Sequence, residues 1–398
     1  MFAADPLLGG HIGLAVVLIV ILKTVLTFVV LLVGTMFMVW FERKVVGDLQ
    51  NRIGPNRAGP FGLLQTLADG IKVFFKEDLI PDKSDRFVFK YAPLLSMVPA
   101  FITFAVVPIA GDFRKGHGGV VKIFGHQTLL QLADPPIGIL LVLAMSSIAV
   151  YGVMLAGWSS GSKYPLLGSV RASAQMVSYE AALGLSVVAV VLVSGTLSTS
   201  GIVALQRPWP WNWNLVVTGI VPFVVFLIAG TAELNRPPFD LVEAEQELVG
   251  GYQTEYSGIR FALFYLAEFM NTITMSAIIV TLFLGGPNGP VIIGPAWIWG
   301  LIWFLIKLLV FLFIFVWFRA TLPRFRYDQL MDLGWKALIP LSLGWLLLLT
   351  AVRVGSDQGW NPFLVVGVGA VVLVAAYGLL ATAMRVAKKN QMFSEVPD

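Results

Sequence analysis

Residues 232–256 read AELNRPPFDLVEAEQELVGGYQTEY. This segment lies between two apolar runs that are each long enough to cross a lipid bilayer. Only 13% of the chain is charged, yet the segment holds six of its 23 acidic residues: Glu233, Asp240, Glu243, Glu245, Glu247 and Glu255. Because ionisable groups at or near membrane depth carry a large free-energy cost, this concentration predicts a functional site.

The composition excludes an ordinary water-soluble domain. Of the 398 residues, 57% are hydrophobic, and the mean hydropathy is +0.83. We therefore expect an all-α polytopic membrane protein, with residues 1–398 forming one integral membrane domain. The N-terminus has no basic region and no small-residue cleavage site, so we interpret it as the start of a retained first helix.

Nine apolar runs have the length of a membrane-spanning helix, and we detect no internal repeat among them. They cover residues 12–41, 91–110, 134–156, 177–200, 215–235, 260–285, 297–320, 334–352 and 362–385. Lys and Arg set the orientation: 20 of the 27 fall in alternate connecting segments, and five fall on the opposite side. The positive-inside rule then places the N-terminus outside and the C-terminus in the cytoplasm.

The inner-side segment 42–90 contains a predicted amphipathic helix. It begins with an irregular turn, NRIGPNRAGP (51–60), and continues as FGLLQTLADGIKVFFKED (61–78). Apolar residues recur at helical spacing in the second stretch, and polar ones fall on the other face. Such a helix lies at the inner membrane interface or packs against a soluble partner.

Four carboxylates are expected in the inner half of the membrane: Glu42, Glu180, Glu233 and Glu268. Glu42 has a simpler explanation as a partner of Arg43, and Glu180 as a residue that begins a helix. Glu268 lies ~12 Å along its span from Arg260, at 1.5 Å per residue. It needs a partner on another helix or must stay protonated.

The acidic segment 236–259 combines carboxylates on one face. Asp240, Glu243 and Glu247 share a face in a helix, whereas Glu243, Glu245 and Glu247 share one in a strand. Crowded carboxyl groups have raised pKa values and titrate together; the alternative is a solvated acidic loop. With the buried carboxylates, the segment predicts half of a proton path, from the inner side to mid-membrane.

The sequence predicts no metal and no redox centre within this chain. It has no cysteine, so it forms no disulfide and holds no Cys-ligated iron–sulfur cluster. The three histidines, His11, His117 and His126, are far apart and are expected in or beside outer segments. Any redox cofactor must be held by other chains.

Four blocks of sequence resemble the H-subunit family of bacterial NADH–quinone oxidoreductase, or respiratory complex I. They are residues 41–78, LLGSVRASAQMVSYEAALGL (166–185), residues 232–256 and RATLPRFRYDQLMDLGWK (319–336). Two features depart from the family pattern. Ser162 stands where Asn is expected, and the ninth span, 362–385, is absent from shorter members.

The resemblance implies a long quinone chamber between this chain and a peripheral arm. The residues that it implies at the chamber are Arg43, Asp69, Lys72, Arg236, Glu243, Glu245, Glu247 and Arg319. The residues that it implies in a proton-conducting chain are Glu42, Glu180, Glu233, Asp240 and Glu268. Quinone would be the substrate, and iron–sulfur clusters, FMN and NADH would be bound by partner subunits.

Two further functions compete with this hypothesis. One is the homologous subunit of a membrane-bound, ion-pumping hydrogenase, which would co-purify with a nickel-containing partner. The other is a stand-alone secondary transporter, which would move ions or solutes in liposomes without partners. The intact amphipathic helix and the full acidic segment favour the quinone enzyme. The resemblance then implies small membrane subunits as neighbours, in a bacterial plasma membrane.

Overall fold

The computed structural model describes residues 5–8, 13–113, 118–123, 125–207, 210–241, 245–361, 365–372, 374–375, 378 and 382. These residues are predominantly α-helical. Two strands, β1 (Val120–Ile123) and β2 (His126–Leu129), form a short antiparallel hairpin with Val120 opposite Leu129. The predicted all-α class is confirmed.

Within these described ranges, seven helices are long and apolar enough to cross a membrane. They are α1 (Leu14–Leu49), α3 (Arg86–Ala105), α4 (Gly138–Ser159), α5 (Lys163–Ser194), α10 (Gly258–Phe283), α11 (Ala296–Thr321) and the span Tyr327–Asp357. In this last span, α12 (Tyr327–Asp332) and α13 (Ile339–Asp357) flank a π-helical turn at Leu333–Leu338. The shorter helices are α2 (Gln65–Phe74), α6 (Thr199–Leu205), α7 (Asn214–Val217), α8 (Ile220–Glu233) and α9 (Glu245–Leu248).

Eight of the nine predicted spans coincide with helices. The fifth corresponds to α8, which is apolar but only 14 residues long. Gly219, at a φ of +80°, separates it from α7, so the helix begins later than residue 215. Half of the ninth predicted span, 362–385, lies outside the described residues, and its described residues, 365–372, 374–375, 378 and 382, are helical.

The predicted start of the fourth span was wrong. Helix α5 begins at Lys163, well before residue 177, which places Glu180 in the middle of a 32-residue helix. Hydropathy missed the first turns because they mix charged residues with small buried ones, such as Gly168 and Ala172. At Gly168 a Cβ would come within 2.8 Å of the Gly251 backbone, so glycine permits the helix to pack there.

Helix α10 lies at the centre of the bundle. In the most apolar 18-residue stretch of α10, 83% is buried, compared with 17% in the corresponding stretch of α1. The large side chains Phe269, Met270 and Phe283 of α10 are buried in the main core. Residues of α10 therefore point towards other helices, whereas α1 exposes most of its apolar surface.

Lys307 of α11 donates hydrogen bonds to backbone carbonyls in the irregular stretch that follows α10. Its ammonium group donates to the carbonyls of Leu284 (2.7 Å), Gly286 (2.9 Å) and Asn288 (2.7 Å). It also lies 4.7 Å from the centre of the Trp213 ring. Because backbone polar groups inside a membrane need internal partners, this lysine permits the chain to leave the helical conformation here.

We expect Lys307→Met to destabilise the protein, because it leaves three carbonyls without their donor. At ~1–3 kcal/mol for each buried group left unsatisfied, the free energy of unfolding should fall by about 3 kcal/mol or more. Thermal unfolding of the purified complex measures the effect. Lys336→Met is the matched control, since Lys336 is exposed and its ion pair is with the exposed Asp332; equal destabilisation by both would contradict this role.

Candidate functional site

Two arginines and two glutamates from four parts of the chain form a network inside the bundle. Arg236 lies 2.5 Å from Glu42 of α1 and 3.0 Å from Glu268 of α10. Arg319 of α11 donates to the other carboxylate oxygen of Glu42. Arg236 and Glu42 are 4% and 5% exposed, so the pair is almost fully removed from solvent. We call these four residues the Arg–Glu network.

A tight turn after α8 places Arg236 in this network. Asn235 has a positive φ of 51°, which asparagine adopts more readily than most residues. Gln175 of α5 holds the turn: its side-chain amide donates to the carbonyls of Ala232 (2.8 Å) and Phe239 (3.1 Å). Sequence reasoning missed Gln175, although a fully buried glutamine in an apolar helix is itself a signal.

The network balances its formal charges and gives Arg236 a second favourable contact. The guanidinium carbon lies 4.3 Å from the centre of the Phe269 ring, within the range of a cation–π interaction. A buried ion pair is tolerated only when most of its polar groups are satisfied. A change in the protonation of Glu42 or Glu268 would therefore change the balance of forces on Arg236.

A polar cavity of about 420 Å³ opens beside the network. It is lined by Glu42, Arg43, Val46, Arg52, Ile53, Gly54, Pro55, Tyr265 and Arg319. We call it the basic cavity, because three arginines outnumber its one carboxylate. Such a lining can bind a polar head group that is negatively charged or becomes so during a reaction.

Helix α2 is joined to this cavity through Arg43. The Arg43 guanidinium lies 2.6 Å from the Asp69 carboxylate. The apolar side chains Leu67, Ile71 and Phe74 of α2 are exposed, and so is Lys72. The predicted amphipathic helix is confirmed, and its apolar face is not covered by the described part of this chain.

Two neighbouring serines of α4 bind the other two predicted membrane carboxylates. Ser146 donates to Glu233, and Ser147 donates to Glu180. Glu233 ends α8 and Glu180 lies in α5, so α4 holds both acids beside each other. Sequence reasoning missed these serines, although two adjacent hydroxyls in the apolar run LVLAMSSIAV (141–150) are a usable signal.

A small cavity lies between Glu233 of this pair and Glu268 of the Arg–Glu network. It measures about 40 Å³, and both Glu233 and Glu268 line it. Ser96 and Asn271 contribute polar groups to the same cavity. A space of this size lined by polar atoms can hold a water molecule, since about 10–15 Å³ suffices for one. Glu268 and Glu233 thus face a common polar space.

Two carboxylates of the acidic segment each pair with an arginine. Asp240 lies 3.0 Å from Arg324, and Glu247 lies 2.7 Å from Arg171. Burial raises the pKa of Asp240, while Arg324 opposes that increase. Asp240 and Glu247 are therefore each stabilised by an arginine, unlike carboxylates that are crowded together without a cation.

The rest of the acidic segment is partly outside the described residues. Glu243 lies there, and so does the side chain of Glu245, whose backbone begins α9. The segment is fixed to its neighbours at Phe239, which stacks on Phe325 with ring centroids 5.5 Å apart. The Phe325 amide also donates to the Pro238 carbonyl at 3.1 Å.

The sequence matches one family over most of its length. Residues 22–350 match the family model described as NADH dehydrogenase. A relative from Frankia casuarinae, named as the H-subunit of NADH-quinone oxidoreductase, is 53% identical over 341 residues, which cover 84% of this chain and 73% of the relative. Two relatives with the same name come from Cutibacterium acnes (47% identity, 96% and 88% coverage) and Streptomyces avermitilis (47%, 89% and 78%). The chain therefore belongs to the NADH dehydrogenase family, in the group formed by the H-subunits of NADH-quinone oxidoreductase.

Proposed function

We propose that this membrane subunit of NADH–quinone oxidoreductase couples quinone reduction to proton transfer through the Arg–Glu network. The basic cavity forms part of the quinone chamber, and the carboxylates beyond the network form the proton path. The observation that carries the proposal is the double role of Glu42. It lines the basic cavity and is paired with the buried Arg236, which in turn contacts Glu268.

The chemistry of quinone reduction explains how this geometry transmits a signal. A quinone that gains two electrons and two protons becomes a quinol, and negative charge develops on its oxygens before the protons arrive. That charge attracts Arg43 and Arg319 on the cavity wall. Because Arg319 also donates to Glu42, its movement weakens the stabilisation of that carboxylate and favours uptake of a proton.

The second step of the proposal is proton movement from Glu268 towards Glu233. Both acids line the 40 Å³ cavity, and Glu233 and Glu180 are held by adjacent serines. Protons then pass sideways to a neighbouring small membrane subunit. Asp240 lies at the entrance of this path. The quinone chamber is bordered by four further residues: Glu247, its partner Arg171, Asp69 and Lys72.

The electrons come from outside this chain. In this proposal an iron–sulfur cluster held by a peripheral-arm subunit would supply them to the quinone, and FMN and NADH would be bound by other partners. The excess of Lys and Arg in alternate segments supports an orientation in a bacterial plasma membrane with the N-terminus outside and the C-terminus in the cytoplasm. The exposed apolar face of α2 then contacts the membrane interface beside the chamber.

The relatives favour the quinone enzyme over the hydrogenase, since the three described above carry the oxidoreductase name. Co-purification separates these assemblies directly. We expect NADH dehydrogenase modules to accompany the subunit, whereas a nickel-containing partner would contradict the proposal. Transport by the purified subunit alone in liposomes would favour the stand-alone transporter.

We expect Glu233→Gln in the assembled complex to lower NADH–quinone reductase activity and proton pumping. Electron transfer from NADH to an artificial hydrophilic acceptor should stay unchanged, because that reaction does not use this subunit. The matched control is Glu255→Gln, which makes the same substitution in the acidic segment, outside the proposed path. Wild-type pumping in Glu233→Gln would show that this acid is not required.

We also expect Arg236→Gln to lower the free energy of unfolding of the complex far more than Arg171→Gln does. Removing one partner of a buried ion pair costs ~3–5 kcal/mol, because a carboxylate stays buried without its cation. The Arg171–Glu247 pair is more exposed, and such pairs contribute about 1 kcal/mol or less. Thermal unfolding of the two purified complexes measures the difference.

A double variant separates the electrostatic contribution of Arg236 to stability from the contribution of its packing. Combining Arg236→Gln with Glu268→Gln removes a cation and an anion together, so the double variant should be less destabilised than the sum of the two single variants. Strict additivity would mean that Arg236 and Glu268 do not stabilise each other.

A further inference from the structure

A second polar cluster lies beyond Glu233, towards the end of the bundle opposite the acidic segment. Asp134 accepts hydrogen bonds from Ser198 (2.8 Å) and Ser200. Thr199 accepts one from the Gln131 side-chain amide at 2.8 Å. These five residues, the distal cluster, lie just before α4 and at the start of α6. The proposed function does not use them.

Water has room beside Glu233. A cavity of about 50 Å³ is lined by apolar residues and by five polar ones: Glu233, Ser146, Asn271, Thr274 and Thr103, whose hydroxyl already donates to the Pro99 carbonyl. The Glu233 Oε2 atom and the Thr274 hydroxyl are buried and have no hydrogen-bond partner among the described residues. Buried polar atoms beside a cavity of this size are normally satisfied by water. Glu233 therefore faces a hydrated space.

The space next to the distal cluster is different. It measures about 10 Å³, which is at the lower limit for one water molecule. Its polar residues are Thr199 and Thr281, and both hydroxyls already donate to backbone carbonyls, of Val106 at 2.7 Å and of Ala277 at 2.8 Å. A water molecule there would find few free partners, so this cavity stays dry.

Three aliphatic side chains line both cavities: Ile139, Val142 and Ile278. They are 1%, 7% and 5% exposed and come from α4 and α10. We infer that these three residues form an apolar seal that stops protons at Glu233 from passing to the distal cluster. A proton in transit would have to cross a dry aliphatic layer, where an unpaired charge is strongly disfavoured.

The seal completes the proposed function, on which it depends for the assignment of protons to Glu233. If protons are to pass sideways to a neighbouring subunit, the shorter route through this chain must be closed. The polar groups on both sides of the seal make such a closure necessary. A purely apolar bundle beyond Glu233 would need no particular residues for it.

Passive proton leak tests the seal without any turnover. The assembled complex is reconstituted in liposomes, a pH gradient is imposed without NADH, and a trapped dye reports its decay. Val142→Thr adds a hydroxyl at nearly constant side-chain volume. Ile278→Thr adds a hydroxyl and also loses one methyl group, a loss that the conservative variant Ile278→Val shares. We expect either variant to raise the leak rate about tenfold, which corresponds to a barrier lowered by ~1.4 kcal/mol.

Ile279→Thr is the matched control. Ile279 is 0% exposed and adjacent to Ile278 in α10, but it is not among the residues that line either cavity. We expect a wild-type leak from this control and from the conservative variant Ile278→Val. A wild-type leak in both Ile278→Thr and Val142→Thr, or an equal leak in Ile279→Thr, would overturn the inference.

Adding Glu233→Gln to Ile278→Thr identifies the route. We expect the added variant to reduce the leak, because the protons then lose the acid from which they reach the seal. A leak that is unchanged by Glu233→Gln would overturn the assignment of the seal to this path. Failure of the proposed function is seen separately, as normal coupled pumping in Glu233→Gln alone.

Discussion

The structure depends on keeping the positive charge of Arg236 inside a membrane bundle. An isolated guanidinium there would carry a large free-energy cost, so the chain must bring carboxylates to it. Glu42 and Glu268 supply them from α1 and α10, and Gln175 fixes the turn that delivers Arg236. The same contacts join three helices and one connecting segment. The fold and the candidate site therefore rest on one set of interactions.

Much of the fold follows from hydropathy, but the placement of polar residues follows from packing. Eight of the nine predicted apolar runs coincide with helices, because a helix that crosses a bilayer needs a long run of apolar residues. The start of α5 at Lys163 was missed, since small residues such as Gly168 are selected by close packing against Gly251. Only contacts between distant parts of the chain reveal that choice.

The candidate site shows the same limit. The carboxylates could be identified from their high cost in a membrane. Their partners could not, because Arg236 and Arg319 lie 194 and 277 residues from Glu42 in sequence. The resemblance separated chamber residues from path residues, yet the structure brings members of both groups together at Glu42. Glu42 thus belongs to the boundary between the two predicted regions.

The bundle is asymmetric about Glu233. On one side, ionisable groups and small cavities connect it with the basic cavity. On the other, aliphatic residues separate it from the distal cluster. Such an arrangement suits a subunit in which a change in charge at one side of the membrane leads to proton transfer sideways, within the membrane.

The central claim is that quinone reduction changes the protonation of the Arg–Glu network. Redox-induced infrared difference spectroscopy of the assembled complex measures this most directly, because protonated carboxyl groups absorb apart from carboxylates. Our account predicts a carboxyl signal on quinone reduction that Glu42→Gln or Glu268→Gln removes, while a control outside the network and the chamber, Glu255→Gln, retains it. A spectrum without such a signal, or one that is unchanged in both network variants, would contradict the account.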